Sequence, residues 1–147
     1  MELDVATEIE IAVAREQVAA FAADPGNATR WRETFKEAQP EHAGPPAVGS
    51  RIVFVSKVLA SKVTYTYEVV EHEPGRRLVM RTEDGPFAVQ TTYAWEDADG
   101  GGTRMTLRNS GEPARSTKLA TRLMARAMRR ADAKDLARLK TLLEGGS

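Results

Sequence analysis

Apolar and polar positions alternate from Asp4 to Ala14, with Val5, Thr7, Ile9, Ile11 and Val13 on one side and Asp4, Glu8 and Glu10 on the other. A period of two predicts a half-buried strand. From Arg15 to Ala23 the spacing turns helical, with Val18 and Phe21 on one face, and Asp24-Pro25-Gly26-Asn27 ends the run. Asn27 is then placed to cap a second short helix carrying Trp31 and Phe35. Pro40 to Gly49 holds three prolines and two glycines and predicts a long loop, either a flap or a plain connection.

Strands follow one another from Ser50 to Ser110. Ile52 to Leu59 is apolar on both faces, and Val63, Tyr65, Tyr67 and Val69 alternate with Lys62, Thr64, Thr66 and Glu68. After the Glu73-Pro74-Gly75-Arg76 turn, Leu78, Met80 and Thr82 share a face. After Asp84-Gly85-Pro86, Phe87, Val89, Thr91, Tyr93 and Trp95 do the same. A polar loop from Asp97 to Gly102 leads to Thr103, Met105, Leu107 and Asn109, opposite Arg104, Thr106 and Arg108. Connections this short do not permit parallel crossovers, so the sheet is expected to be antiparallel.

Past Gly111-Glu112-Pro113 the chain reads as one long helix to Glu144. Arg115, Lys118, Arg122, Arg126 and Arg129 fall in one sector, opposite Ala120, Met124, Ala127, Met128 and Ala131, which Leu139 and Leu142 continue. Alanine leaves space and methionine adapts to shape, so the first half suits a cavity wall and the leucine half a packed core. The predicted class is α+β: a curved antiparallel sheet wrapped round a long C-terminal helix, with two short helices closing the remaining opening.

Composition narrows the chemistry. The 147 residues suit one domain spanning 1–147. There is no cysteine, which excludes disulfides, thiolate metal sites and cysteine nucleophiles. Met1-Glu2-Leu3-Asp4 lacks the basic and apolar regions of a signal peptide, and no apolar run nears the ~20 residues that span a bilayer; a cytoplasmic protein without membrane insertion is expected. Basic and acidic residues balance at 21 each, yet Arg115 to Glu144 carries nine basic and three acidic. That basic face, above all Arg122, Arg126 and Arg129, reads either as a solvated surface or as a dock for an acidic partner, RNA or acyl-carrier protein. Nucleic acid is not the expected partner; a homodimer is possible on these data.

Several segments carry a family likeness: Asp24-Pro25 leading to Trp31, Val48-Gly49-Ser50-Arg51, and Tyr67-Glu68-Val69-Val70-Glu71 before Glu73-Pro74-Gly75 and Arg77-Leu78. Thr92-Tyr93-Ala94-Trp95-Glu96, Gly101-Gly102-Thr103-Arg104-Met105-Thr106-Leu107, and the ending Asp135 to Glu144 complete the set. Together they resemble the START-like (SRPBCC) superfamily of polyketide cyclase/dehydrase and lipid-transport proteins. The resemblance covers nearly the whole chain and implies a helix-grip fold with a hydrophobic cavity between sheet and C-terminal helix. It does not choose among carriers, lipid-transfer domains, receptors and aromatase/cyclases.

On the inward faces so assigned, Phe54, Tyr65, Tyr67, Met80, Val89, Thr91, Tyr93, Leu107 and Asn109 are the expected ligand-binding residues of the sheet. Met124, Ala127 and Met128 form the helix wall, and Trp31 or Phe35 the entrance. Each tyrosine has the alternative of a core residue with its hydroxyl at the sheet edge, Met124 and Met128 that of ordinary packing, and Asn109 that of a fraying strand end. His42 and His72 are general bases in principle, with surface placement the competing reading. No His/Asp/Glu spacing suits a metal, no phosphate loop or cofactor motif is present, and inward ionisable groups are expected to be scarce. A binding module for a small hydrophobic molecule and a polyketide aromatase/cyclase that promotes aldol closure both remain open; no catalytic set is identifiable.

Overall fold

A computed structural model describes residues 2–58, 60–84, 87–113 and 117–145. The chain runs β1 (Leu3–Ile11), α1 (Arg15–Ala23), α2 (Pro25–Trp31), β2 (Phe35–Pro40), β3 (Arg51–Val58), β4 (Ser61–Glu73), β5 (Arg77–Thr82), β6 (Val89–Asp97), β7 (Thr103–Gly111) and α3 (Lys118–Glu144). The strands form one seven-stranded sheet in the order β1-β7-β6-β5-β4-β3-β2. Every neighbouring pair is antiparallel. This is the expected α+β helix-grip architecture.

The alternation read from the sequence sets which side chains go inward. Val5, Leu78, Met80, Tyr93, Trp95, Met105 and Leu107 are all buried, and all but Val5 share one core cluster with Val18, Trp31, Leu136 and Leu139 from the helices. α3 lies against β1 and α2, and its C-terminal half is pinned there. The Lys140 ammonium donates to the Glu10 carbonyl at 2.7 Å, and the Ala12 N–H donates to the Glu144 carboxylate at 2.7 Å. The N-terminal half diverges from the sheet: Ala120, Ala127 and Ala131 are exposed, Met124 and Met128 are half-buried, and Leu119 and Leu123 face solvent. The contrast between alanine–methionine and leucine halves therefore marks where the helix leaves the sheet.

Three expectations need correction. The second helix does not extend to Phe35: it ends at Trp31, and Phe35 opens the edge strand β2. The reason is Arg32, which caps the helix with extended backbone and turns its side chain into the core. The cap of α2 is Asp24, whose carboxylate accepts from the Gly26 N–H at 2.9 Å, rather than Asn27; Pro25 then occupies the first turn, where its missing N–H costs nothing. Last, α3 begins at Lys118, capped by the Thr117 hydroxyl, and Arg115 of the expected basic sector lies outside the described residues. Arg122, Arg126 and Arg129 are exposed.

Candidate functional site

Where the first half of α3 leaves the sheet, a cavity of about 450 Å³ opens between them. Its apolar wall comprises Tyr65, Phe87, Val89, Met124, Ala127 and Met128, while Arg32, Ser56, Asn109 and Asp132 form a polar end. Of the twelve expected ligand-binding residues, the structure brings six to this cavity: Tyr65, Tyr67, Val89, Asn109, Met124 and Met128. The other six are in the packed layer or the polar network beneath. Phe54 stacks on Phe35 with ring centroids 4.2 Å apart, Trp31 is fully buried against Tyr93, and Met80 and Leu107 are core. Phe35, expected at the entrance, does line the cavity.

The expectation that inward ionisable groups are scarce is overturned. Arg32, Asp132 and Asp135 are all buried, at 8%, 3% and 3% of their full exposure. Arg32 Nε donates to Asp135 Oδ2 at 3.0 Å and Nη1 to the Tyr93 hydroxyl at 2.9 Å. Its guanidinium also lies over the rings of Trp31, Phe35 and Tyr93, 5.2 to 6.0 Å from their centroids. Aromatic faces attract a weakly hydrated guanidinium, which eases its transfer from water. Burial works against the charge, but Tyr93, Asp135 and Asp132 together outweigh it and hold the Arg32 pKa above its ordinary value. Asp135 is further held by the Glu33 N–H at 3.2 Å and by Arg138 Nη1 at 3.4 Å.

Asp132 sits one helical turn earlier and is held differently. Asn109 Nδ2 donates to Asp132 Oδ2 at 2.9 Å, the Thr91 hydroxyl donates to Asn109 Oδ1 at 2.7 Å, and the Tyr67 hydroxyl bonds to Thr91. This relay has one direction. Thr91 gives its proton to Asn109 Oδ1, so the Asn109 amide must present its N–H groups to Asp132. Asp132 Oδ2 is thereby fixed as an acceptor, and Oδ1 has no hydrogen bond among the described residues. Burial raises the Asp132 pKa, as does Asp135, against the opposing pull of Arg32 and of the Asn109 bond. Burial likewise raises the pKa of Tyr67 and of Tyr93.

Among the described residues, three buried polar side-chain atoms lack a partner: Trp31 Nε1, Trp95 Nε1 and Ser56 Oγ. Ser56 is the one of these that lines the cavity, between Phe35 of β2 and Val63 of β4. A buried hydroxyl costs free energy until something hydrogen-bonds to it. Of the two histidines, His42 is exposed and His72 borders a separate surface groove beside α1, so neither reaches this cavity. Among the described residues no cluster of His, Asp or Glu could hold a metal, and no helix is long and apolar enough to cross a membrane.

Sequence reading missed Arg32, Asp132 and Asp135 because aspartates on a basic helix look like solvated charges. A signal was nevertheless present: Asp132 and Asp135 fall in the angular sector of Met128, Ala131 and Leu139, the side already assigned inward.

Comparison with known proteins agrees with the geometry. The sequence profile described as polyketide cyclase / dehydrase and lipid transport matches residues 2–144. No curated protein matches the chain. Among solved structures, TTHA0849 from Thermus thermophilus superposes with a TM-score of 0.77 at 20% identity, covering 98% of this chain and 99% of that one. The di-domain ARO/CYC BexL from the BE-7585A biosynthetic pathway gives 0.79 at 16% identity, over 96% of this chain and 46% of its own. StfQ, the di-domain ARO/CYC of the steffimycin biosynthetic pathway, gives 0.80 at 13%, over 99% and 51%. At these identities the likeness is one of fold.

Proposed function

The chain belongs to the polyketide cyclase/dehydrase and lipid-transport family, and from that premise we propose that it binds a small hydrophobic molecule bearing a polar oxygen, in the cavity between the sheet and the first half of α3. The observation that carries this reading is the two-ended cavity: an apolar wall of Tyr65, Phe87, Val89, Met124 and Met128, closed by Arg32, Ser56 and Asp132. Such a site favours an apolar body and fixes the orientation of one hydrogen-bonding head. Thr91 and Tyr93 support it from behind through Asn109 and Arg32, while Trp31, Phe54, Met80 and Leu107 give it a rigid floor. At ~0.3 kcal/mol per non-hydrogen atom, a ligand of about 20 such atoms gains ~6 kcal/mol, a Kd of tens of micromolar.

The test is a thermal-shift and fluorescence titration against long-chain lipids and aromatic polyketides, with native mass spectrometry of protein purified from its own host. Ala131→Phe is the matched variant. Ala131 is exposed yet lines the cavity, so a phenyl group there fills the space while the fold is kept. Binding by the parent chain and loss of at least ~10-fold in affinity for the variant supports the reading. Equal affinity in both, or no ligand in any assay, removes it. A second reading, an aromatase/cyclase acting in the same cavity, is favoured by one observation: a buried carboxyl beside a buried guanidinium, as acid–base work on carbonyls needs.

A further inference from the structure

The first half of α3 breaks both rules that stabilise a helix surface in water. Such a surface gains from opposite charges three or four residues apart and from acids in the first turn. Here Lys118, Arg122, Arg126 and Arg130 form an uninterrupted i, i+4 ladder of like charge, with Arg129 beside it, and no acidic residue stands in the first turn. From Lys118 to Ala131 there is no acid at all. All five cations are exposed, and none makes an ion pair or side-chain hydrogen bond among the described residues. The second half behaves oppositely: Arg138 holds Glu33 and Asp135, and Lys140 holds Glu144 and the Glu10 carbonyl. Mutually repelling cations without a counter-charge destabilise the free helix, and an anionic surface removes that repulsion.

A second observation says what kind of anionic surface fits. Leu119 and Leu123 are 67% and 56% exposed, the two large apolar side chains on the described helices that are left to solvent. At 3.6 residues per turn the cations occupy a sector of about 120°. Leu119 falls between Arg126 and Arg130, Leu123 lies just past the rim, and the exposed Ala127 and Ala120 follow, all turned away from the buried Thr121, Asp132 and Leu139. The exposed side of this helix half is thus itself amphipathic. The phosphates of a nucleic acid answer the arginines and leave the leucines in water. A bilayer with anionic headgroups answers both: guanidinium groups pair with lipid phosphates while leucines enter the acyl boundary, and a fluid surface conforms to one convex helix without a matching groove.

We propose that the first half of α3 is a docking surface for an anionic lipid bilayer. The helix lies in the headgroup plane with Leu119 and Leu123 toward the acyl chains and Arg122, Arg126 and Arg130 on phosphates. The contact is peripheral, in keeping with the absence, among the described residues, of any helix long and apolar enough to span. None of these five side chains lines the cavity, so the docking surface stands whatever the cavity binds.

The full chain is sedimented with vesicles of phosphatidylcholine alone, and with vesicles of phosphatidylcholine and phosphatidylglycerol in equal parts, at low and high salt. Each cation near an anionic surface is worth about 5-fold in affinity, so the mixed vesicles should bind at least ~25-fold better than the neutral ones, and added salt should weaken that binding. Two double variants separate the contributions. Arg122→Glu with Arg130→Glu turns the ladder into alternating charges; it should melt no lower than the parent yet bind mixed vesicles at least ~25-fold more weakly. Leu119→Gln with Leu123→Gln keeps every charge and should bind at least ~5-fold more weakly. Melting curves establish that both are folded. No binding to mixed vesicles, equal binding to phosphatidylcholine alone, or an arginine variant that binds as the parent does overturns the proposal. So does a loss confined to the arginine variant, which would assign the face to an acidic protein or a nucleic acid.

Discussion

Arg32 and Asp135 join α2 to α3 through the core, and a double-mutant cycle measures what that joint is worth. Their side chains are 9% and 4% exposed at a separation of 3.0 Å, so each charge depends on the other for compensation. Breaking such a pair from one side costs ~3–5 kcal/mol, because the survivor is a buried charge. The two sides are not equal. Asp135→Leu leaves Arg32 with the Tyr93 hydroxyl, the aromatic faces and the charge of Asp132, to which it makes no direct bond, and should cost ~3–5 kcal/mol. Arg32→Met leaves Asp135 with the Glu33 N–H and Arg138, and should cost ~2–3 kcal/mol. The double variant removes both members of the pair and leaves Asp132, with its Asn109 bond, as the buried carboxyl; its loss should be ~2–3 kcal/mol, well short of the sum. The coupling is then at least ~2 kcal/mol. Urea denaturation with linear extrapolation reads these values, and at ~2–4 °C per kcal/mol Asp135→Leu should lower Tm by ~10 °C or more. Additivity within ~0.5 kcal/mol would refute the argument, since two groups that compensate one another cannot be removed independently.

Other consequences can be checked on the same protein. The outer-face pair Arg108–Asp4, with side chains 50% and 37% exposed, should be worth no more than ~1 kcal/mol and should fade with added salt, as denaturation of Arg108→Ala in low and high salt will show. Asp132 has a folded-state pKa above its unfolded value, so the native state loses stability as pH rises from the unfolded pKa through the folded one; Asp132→Asn should therefore raise Tm at neutral pH and flatten the curve of Tm against pH in that window. Gly75 has φ of +79° in the β4–β5 turn, and Gly75→Ala should cost ~1–2 kcal/mol in the same urea assay. At Gly111 the limit is space rather than φ: an added Cβ would lie 2.5 Å from the Ala88 carbonyl oxygen, so Gly111→Ala should lower Tm by several degrees and loosen the end of β7 beside the cavity, visible as faster amide exchange there.

The fold was legible because its signals are local and repeated. Period-two alternation in β4, β5, β6 and β7 assigned the inward faces, and the Pro-Gly and glycine-rich turns fixed the antiparallel order. The apolar half of the site was legible too, through the change from alanine and methionine to leucine along α3. Its polar half was not, for a physical reason. Whether an aspartate on a charged helix is solvated or buried depends on a partner distant in the chain: Arg32 pairs with Asp135 across 103 positions, and Asn109 reaches Asp132 across 23. The same long-range demand misled the reading of α2, since Arg32 leaves the helix to reach that partner and sends Phe35 into a strand.

Asp132 and Asp135 thus pose one question twice, three residues apart on one helix. Asp135 answers it as a structural charge does, with a guanidinium, a backbone N–H and a second arginine. Asp132 receives a single amide donor and keeps an oxygen toward the cavity, at a cost in stability that the Asn109 bond only partly offsets. A carboxyl serving the fold alone would be more stable as asparagine, which preserves its shape and can preserve the bond from Asn109. If Asp132→Asn proves more stable than the parent and binds the ligand at least ~10-fold more weakly, the retained charge is explained by contact with the ligand at the cavity wall. A variant both less stable and unchanged in affinity would place Asp132 with Asp135, as part of the joint between helix and sheet.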